Sequence, residues 1–331
     1  MKPIIVHFVS AVGWVATAVC SIGDVSAFAQ NVERPQLAIV PAEHVPAAAT
    51  SMMLSATLAG SRIVAVGDHG VVLLSDDAGK SFRQARSVPV SSTLTSVSFV
   101  DATHGWVVGQ WGVVLNTTDG GENWALQRSD LTVDQPLFSV HFKNSKDGWA
   151  VGLWSLMLHT VDGGVTWITV KPPPPPGGKK ADRNLYRIFA NADGAMFIAC
   201  EQGRVMQSAD DGATWNYIET GYTGSFWSGV ALQDGALLVG GLRGTIYRSI
   251  DRGKTWSVSQ STFKSSITDM LQLADKSIVA VGLDGVTLIS GDDGVSFSGN
   301  QRSDRVPLTA LSKSPVGGAP PVVFSASGPI S

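Results

Sequence analysis

The chain has 331 residues and a formal net charge of −3, and only 15% of its residues are Asp, Glu, Lys or Arg. That balance excludes the broad basic field of a nucleic-acid binder. A hydrophobic share of 44%, with 36 Gly and ten Trp, excludes a disordered chain and points to a packed all-β protein.

At the N-terminus, Lys2 precedes an apolar run from Ile4 to Cys20, and Ala27-Phe28-Ala29 supplies a small-x-small site. This predicts a secretory signal peptide over 1–29, cut after Ala29, and a mature protein that is periplasmic or secreted and no longer inserted in a membrane. Only Cys200 then remains, so no internal disulfide is available and stability must come from apolar burial.

From about residue 51 the chain repeats itself. The phrase S-x-D-x-G-x-T-W, cleanest at Ser249-Ile-Asp251-Arg-Gly253-Lys-Thr255-Trp256, or a close relative of it, occurs six times, with its aspartates at Asp77, Asp119, Asp162, Asp210, Asp251 and Asp292. The terminal aromatics Phe82, Trp124, Trp167, Trp215, Trp256 and Phe297 lie 42, 43, 48, 41 and 41 residues apart. A fixed period in this range marks a repeat architecture. The phrase reads as a hairpin turn: Asp accepts backbone N–H bonds, Gly takes a positive φ, Ser or Thr ties the carboxylate down, and the aromatic anchors the core.

Glycines fifteen and twelve positions before the aromatic, replaced only by Cys200 in the first column and Ser155 in the second, bracket a second tight turn between apolar runs such as Trp106-Val-Val108 and Val113-Val-Leu115. Each unit is therefore four short strands, with no helical period between them, and such units form the blades of a propeller. The blades fall near 51–87, 93–128, 136–171, 184–219, 225–259, 265–299 and 307–331, in one domain over 30–331. The last blade is incomplete. The expected fold is thus a seven-bladed β-propeller of four-stranded antiparallel blades, closed by the N-terminal segment (30–50, with the run Gln36–Val40) pairing into the last blade. A six-bladed ring with a loose tail is the alternative. A proline-rich insertion over 172–180 breaks the period and reads as a solvated, extended surface spacer.

The phrase is the Asp-box of sialidases and other propellers. Strand order places it at the outer rim, where structural duty occupies its aspartates. The opposite face carries the turns between second and third strands and the links between blades. Its tips read His69, Trp111, Trp154, Gln202, Arg243 and Asp284. Trp111, Trp154, Arg204, Arg243, Tyr222 and Trp227 there have the composition of a protein-binding patch. For each Trp the competing reading is packing back onto its own blade. Chemistry is poorly provided for. Neither a catalytic tyrosine with its carboxylate partner nor a close metal-ligand pair stands out, so the reading is no enzyme, no cofactor and no metal. A secreted sialidase-like glycoside hydrolase or glycan-binding propeller is the alternative.

The stretches Gly105 to Trp124 and Gly148 to Trp167 resemble the photosystem II stability/assembly factor family, over roughly residues 51–300. The resemblance implies a seven-bladed, cofactor-free assembly factor that holds a membrane-protein subunit through a basic patch, with Arg204 and Arg243 its counterparts by blade position. The expectation carried forward is a monomeric, exported assembly or accessory factor for an envelope membrane complex.

Overall fold

In five of the seven units the second strand is an apolar run with no solvent face. Gly105–Gly109, Gly148–Gly152, Met196–Cys200, Leu237–Gly241 and Ile278–Gly282 are buried at every position. A strand covered on both faces needs a packed layer on either side, so each sheet must stand between two others. In the structure, a computed structural model that describes residues 38–330, seven sheets do so, antiparallel except for a short fifth strand, Gln260–Ser261, that adds parallel to the edge of the sixth. Their first strands are Met53–Ala59, Leu94–Phe99, Leu137–Phe142, Leu185–Ala190, Phe226–Ala231, Ile267–Gln272 and Leu308–Ser312. Each packs against the next, and the last returns to the first. The fold is the expected all-β, seven-bladed propeller.

Every first strand opens with a bulge, between its first and third residues. Hydroxyls at and just after the bulge stitch neighbouring blades together. Thr95 donates to the Leu137 carbonyl and Thr268 to the Leu308 carbonyl, both at 2.7 Å. Thr309 donates likewise to the Met53 carbonyl, joining last blade to first. One residue further along, the hydroxyls of Ser55, Ser96 and Ser139 accept from the N–H groups of Val97, Val140 and Ile188. Asp269 takes the serine position in the sixth blade and accepts from Leu311 N–H at 2.9 Å.

At the outer end the repeated phrase forms one and the same turn six times. In the fifth blade Ser249 Oγ donates to Asp251 Oδ1 (2.9 Å) and accepts from Gly253 N–H (2.9 Å). Thr255 donates to the same carboxylate through its N–H (2.9 Å) and its hydroxyl (2.6 Å). In four of the boxes the carbonyl of the residue after the Asp accepts a bond from the preceding blade. Arg62 reaches Gly120, Trp106 and Gln127 reach Gly163, Gln207 reaches Arg252, and Arg248 reaches Asp293. Between the third and fourth blades a Lys143–Asp211 ion pair (2.6 Å) takes this place. There Trp149 presses so close that a Cβ on Gly212 would lie 2.1 Å from its ring.

The edges depart from expectation. Among the described residues the seventh sheet has three strands, Leu308–Ser312, Val322–Ser325 and Gly328–Ile330. Of the segment expected to close it, residues 30–37 lie outside the described residues, as does the signal peptide. The described remainder, 38–50, is not a strand. Its Ala48–Thr50 turn meets the last blade at Gly328, but Ala42, Glu43 and His44 bond to Val88, Gln84 and Arg86 of the first. Ile39 and Ala42 bury against the first two blades, which holds the segment there. The proline insertion is not a free spacer either: Pro172 and Pro175 are buried while Pro173, Pro174 and Pro176 are exposed, the three-residue period of an extended proline run lying on a surface.

Trp106 ties two blades together. Its ring is 1% exposed and stacks on Phe142 at 3.5 Å, and its N–H bonds to the Gly163 carbonyl at 2.9 Å. Trp106→Ala is expected to cost about 3–5 kcal/mol in urea unfolding, and Trp106→Phe clearly less, since it restores most of the ring volume. Equal losses for the two would mean that the hydrogen bond, and not the packing, carries the junction.

Candidate protein-binding face

Antiparallel order puts the turns between second and third strands at one end of every blade and the Asp-boxes at the other. Each turn in blades one to three, five and six is a three-residue 3-10 turn, and its middle residue stands at positive φ, from 51° at Trp154 to 60° at Asp284. Gln202 holds the same conformation, at 58°, in the fourth. A side chain on such a tip projects outward unless a neighbour captures it, and capture separates the two expected tryptophans. Trp111 is half-buried against the core shared by the first two blades, and its carbonyl accepts from Asp130 N–H (2.8 Å). Trp154 is 58% exposed.

The other four expected residues also divide. Arg243 is exposed, with its backbone N–H bonded to Ser266 Oγ at 3.1 Å. Arg204 is largely buried and paired with Glu219 at 3.2 Å, leaving one guanidinium nitrogen without a partner. The Tyr222 hydroxyl bonds to the Leu242 carbonyl at 3.1 Å, and its ring packs on Phe226 and Tyr247, so it builds the link between blades. Trp227 is half-buried at the bulge opening the fifth blade's first strand.

Trp227 has companions that the sequence reading overlooked. Phe138 and Tyr186 occupy the bulge in the third and fourth blades, their rings stacked at 5.5 Å. Asn184 donates toward the Tyr186 hydroxyl (3.4 Å) and to Glu201 (3.2 Å). The signal was present in register: the second residue of the first strand is aromatic in three successive blades and Leu or Thr in the other four. Together with Trp154 and Arg243, these rings give the third to fifth blades an aromatic and basic sector.

Inside the ring, a central cavity of about 380 Å³ is lined mainly by apolar residues, with His141, Arg187, Asp269 and Lys313 as its charged or titratable groups. Burial raises the Asp269 carboxyl above its ordinary value, against the pull of Arg187. Burial, then Arg187, lowers His141. Among the described residues no three His, Cys, Asp or Glu side chains gather as a metal-binding group. At the opposite end the box carboxylates are fully engaged. The hydroxyl of the residue four positions on, then its N–H, hold Asp77, Asp162, Asp251 and Asp292 at about 2, against an ordinary 3.8. Asp210 is lowered in the same way. At Asp119 burial works upward, but bonds from Asn123 and Thr117 outweigh it.

The sequence profile of the family described as photosynthesis system II assembly factor YCF48 matches residues 84–260. Among curated proteins none matches the chain in sequence. Among solved structures, the chain is similar to YCF48 bound to D1 peptide, with TM-score 0.68 and 16% identity over 88% of this chain and 97% of that one. It is similar to YCF48 from Cyanidioschyzon merolae, with TM-score 0.66 and 16% identity over 88% and 98%. The extracellular domain of a one-component system from B. thetaiotaomicron matches with TM-score 0.66 and 10% identity, over 89% of this chain and 39% of that one.

Acid titration tests the boxes. A carboxylate at about 2 when folded, against 3.8, stabilises fully above about pH 4 and loses that contribution as pH falls through 2. Asp269, raised by burial, works in the opposite sense. Asp251→Asn is expected to lower the thermal midpoint by a few degrees at pH 7 and to shrink the further drop between pH 5 and 2. An unchanged midpoint would show that the carboxylate does not hold the turn.

Proposed function

Because the chain belongs to the photosynthesis system II assembly factor YCF48 family, we propose that it is an exported, non-catalytic propeller that grips a membrane-protein subunit while an envelope complex is assembled. The signal sequence read over 1–29 would deliver it to the periplasm or beyond, and it would act there as a monomer. The observation that carries the reading is the division between the two ends of the ring. One end spends its carboxylates on holding turns, and the other presents Trp154 and Arg243 to solvent on tips held by backbone bonds. Aromatic and arginine side chains on rigid supports are the residues that dominate protein–protein binding energy.

A peptide complex of YCF48 supports this use of the fold. The tyrosines argue against the hydrolase alternative. Burial pushes the Tyr217 hydroxyl far above its ordinary range, which leaves it a poor nucleophile at neutral pH, and the Tyr222 hydroxyl is committed to a backbone carbonyl.

Crosslinked pull-down from envelope extracts tests the proposal, comparing wild type with Trp111→Ala/Trp154→Ala. The variant is expected to recover its partners at a small fraction of the wild-type yield, with most of the loss traceable to Trp154→Ala alone. Unchanged recovery would place the binding surface elsewhere, and turnover of a fluorogenic sialoside by the wild type would make the protein an enzyme.

A further inference from the structure

Trp154 does not stand alone on its tip. The following residue, Ser155, is also at positive φ (60°), where the other five turns place glycine. Two successive side-chain-bearing residues in this region are strained, and they persist only where the surroundings hold them. Here the hold is explicit. Trp154 N–H bonds to Asn184 Oδ1 (3.1 Å), and Ser155 bonds to the Arg183 carbonyl through both its N–H (2.7 Å) and its hydroxyl (3.0 Å). Gln135 donates to the Leu153 carbonyl at 2.9 Å. A large apolar side chain is thus kept in water on a rigid mount.

The indole forms one wall of a cleft of about 610 Å³. The opposite wall is the insertion that interrupts the repeat. Val170 and Pro172 give an apolar surface, and Lys171 and Lys180 stand on the cleft with no carboxylate in its lining. The nearest acidic neighbour in sequence, Asp182, is turned to Arg183 at 3.2 Å. Lys171, Lys179 and Lys180 are exposed. Because Pro172 and Pro175 are packed down, this wall is already ordered, and a ligand need not immobilise it.

The geometry points to an acidic linear peptide as the occupant of this cleft, with one apolar or aromatic residue laid against Trp154 and flanking carboxylates reaching Lys171 and Lys180. The assignment rests on the reading that this end of the propeller binds protein and names the chemistry it selects. Charge complementarity decides the sign: two ammonium groups with no ion-pair partner among the described residues, beside an apolar wall, favour carboxylates and repel a basic segment. The indole supplies the contact area that lysines alone lack.

The test uses the full chain and a fluorescein-labelled peptide of glutamates around one central phenylalanine, with a lysine-for-glutamate peptide as control, read by anisotropy. The acidic peptide is expected to bind and to weaken with added salt, and the basic peptide not to bind. Trp154→Ala and Lys171→Glu/Lys180→Glu should each weaken binding roughly tenfold or more. Lys254→Glu, at the Asp-box end, should leave it unchanged, and matched thermal midpoints confirm that each variant is folded. Equal binding of both peptides, or indifference to Trp154→Ala, would overturn the assignment. So would sedimentation showing a dimer that Trp154→Ala dissolves, because the cleft would then hold a second copy of the chain. Envelope partners still captured by Lys171→Glu/Lys180→Glu when no acidic peptide binds would sink this inference alone. Indifference of that capture to Trp111→Ala/Trp154→Ala would sink the broader reading.

Discussion

A propeller must close on itself, and here closure comes down to the hydroxyls of the bulged first strands. The Thr309 to Met53 bond joins residues 256 positions apart and repeats a contact that Thr95 and Thr268 make elsewhere in the ring. A buried carbonyl left without a donor would cost more than the bond itself is worth, so each stitch is stronger as a requirement than as an attraction. The position holds Thr at three junctions and Leu or an aromatic residue at the other four, so the stitch is made where a hydroxyl is present, and the last-to-first junction is one of those places. The rest of the molecule inherits its division of labour from that ring: a packed wall of second strands, short outer strands, and two ends that differ in chemistry.

The two ends differ because the backbone makes different demands on them. At the box end a carboxylate, a hydroxyl and a positive-φ residue are all needed to turn the chain and to offer a carbonyl to the preceding blade. Little chemistry is left over there. At the other end the turn is satisfied by backbone and side-chain bonds, and the fold fixes the tip's backbone at positive φ without fixing its side-chain type. His, Trp, Gln, Arg and Asp all occupy it. Variation at a position that the fold does not need is where a binding surface can be written.

The blades were legible in the sequence because they are local. A box, a tight turn and four apolar runs recur within each stretch of about 43 residues. What could not be read depends on neighbours far away in the chain. Trp111 and Trp154 share one position in the repeat, and only the core beside Trp111 and the Asn184 amide beside Trp154 tell them apart. Arg204 looked like a free cation until Glu219 was seen against it, and Tyr222 like a surface ring until it met Leu242. The N-terminal segment carries no copy of the repeat to align, so its path over the first blade left no trace in the periodicity. Phe138 and Tyr186 share the place of Trp227 in the repeat but lie inside strands, where an aromatic ordinarily means core.

The three-stranded seventh sheet leaves Gly328–Ile330 as its outermost strand among the described residues. The outermost strand of a sheet is where a further chain can pair. This one is three residues long and centred on Pro329, which has no amide proton to offer an incoming chain. Its brevity and its proline limit the hydrogen bonds this strand can offer to any chain laid beside it, from this molecule or another.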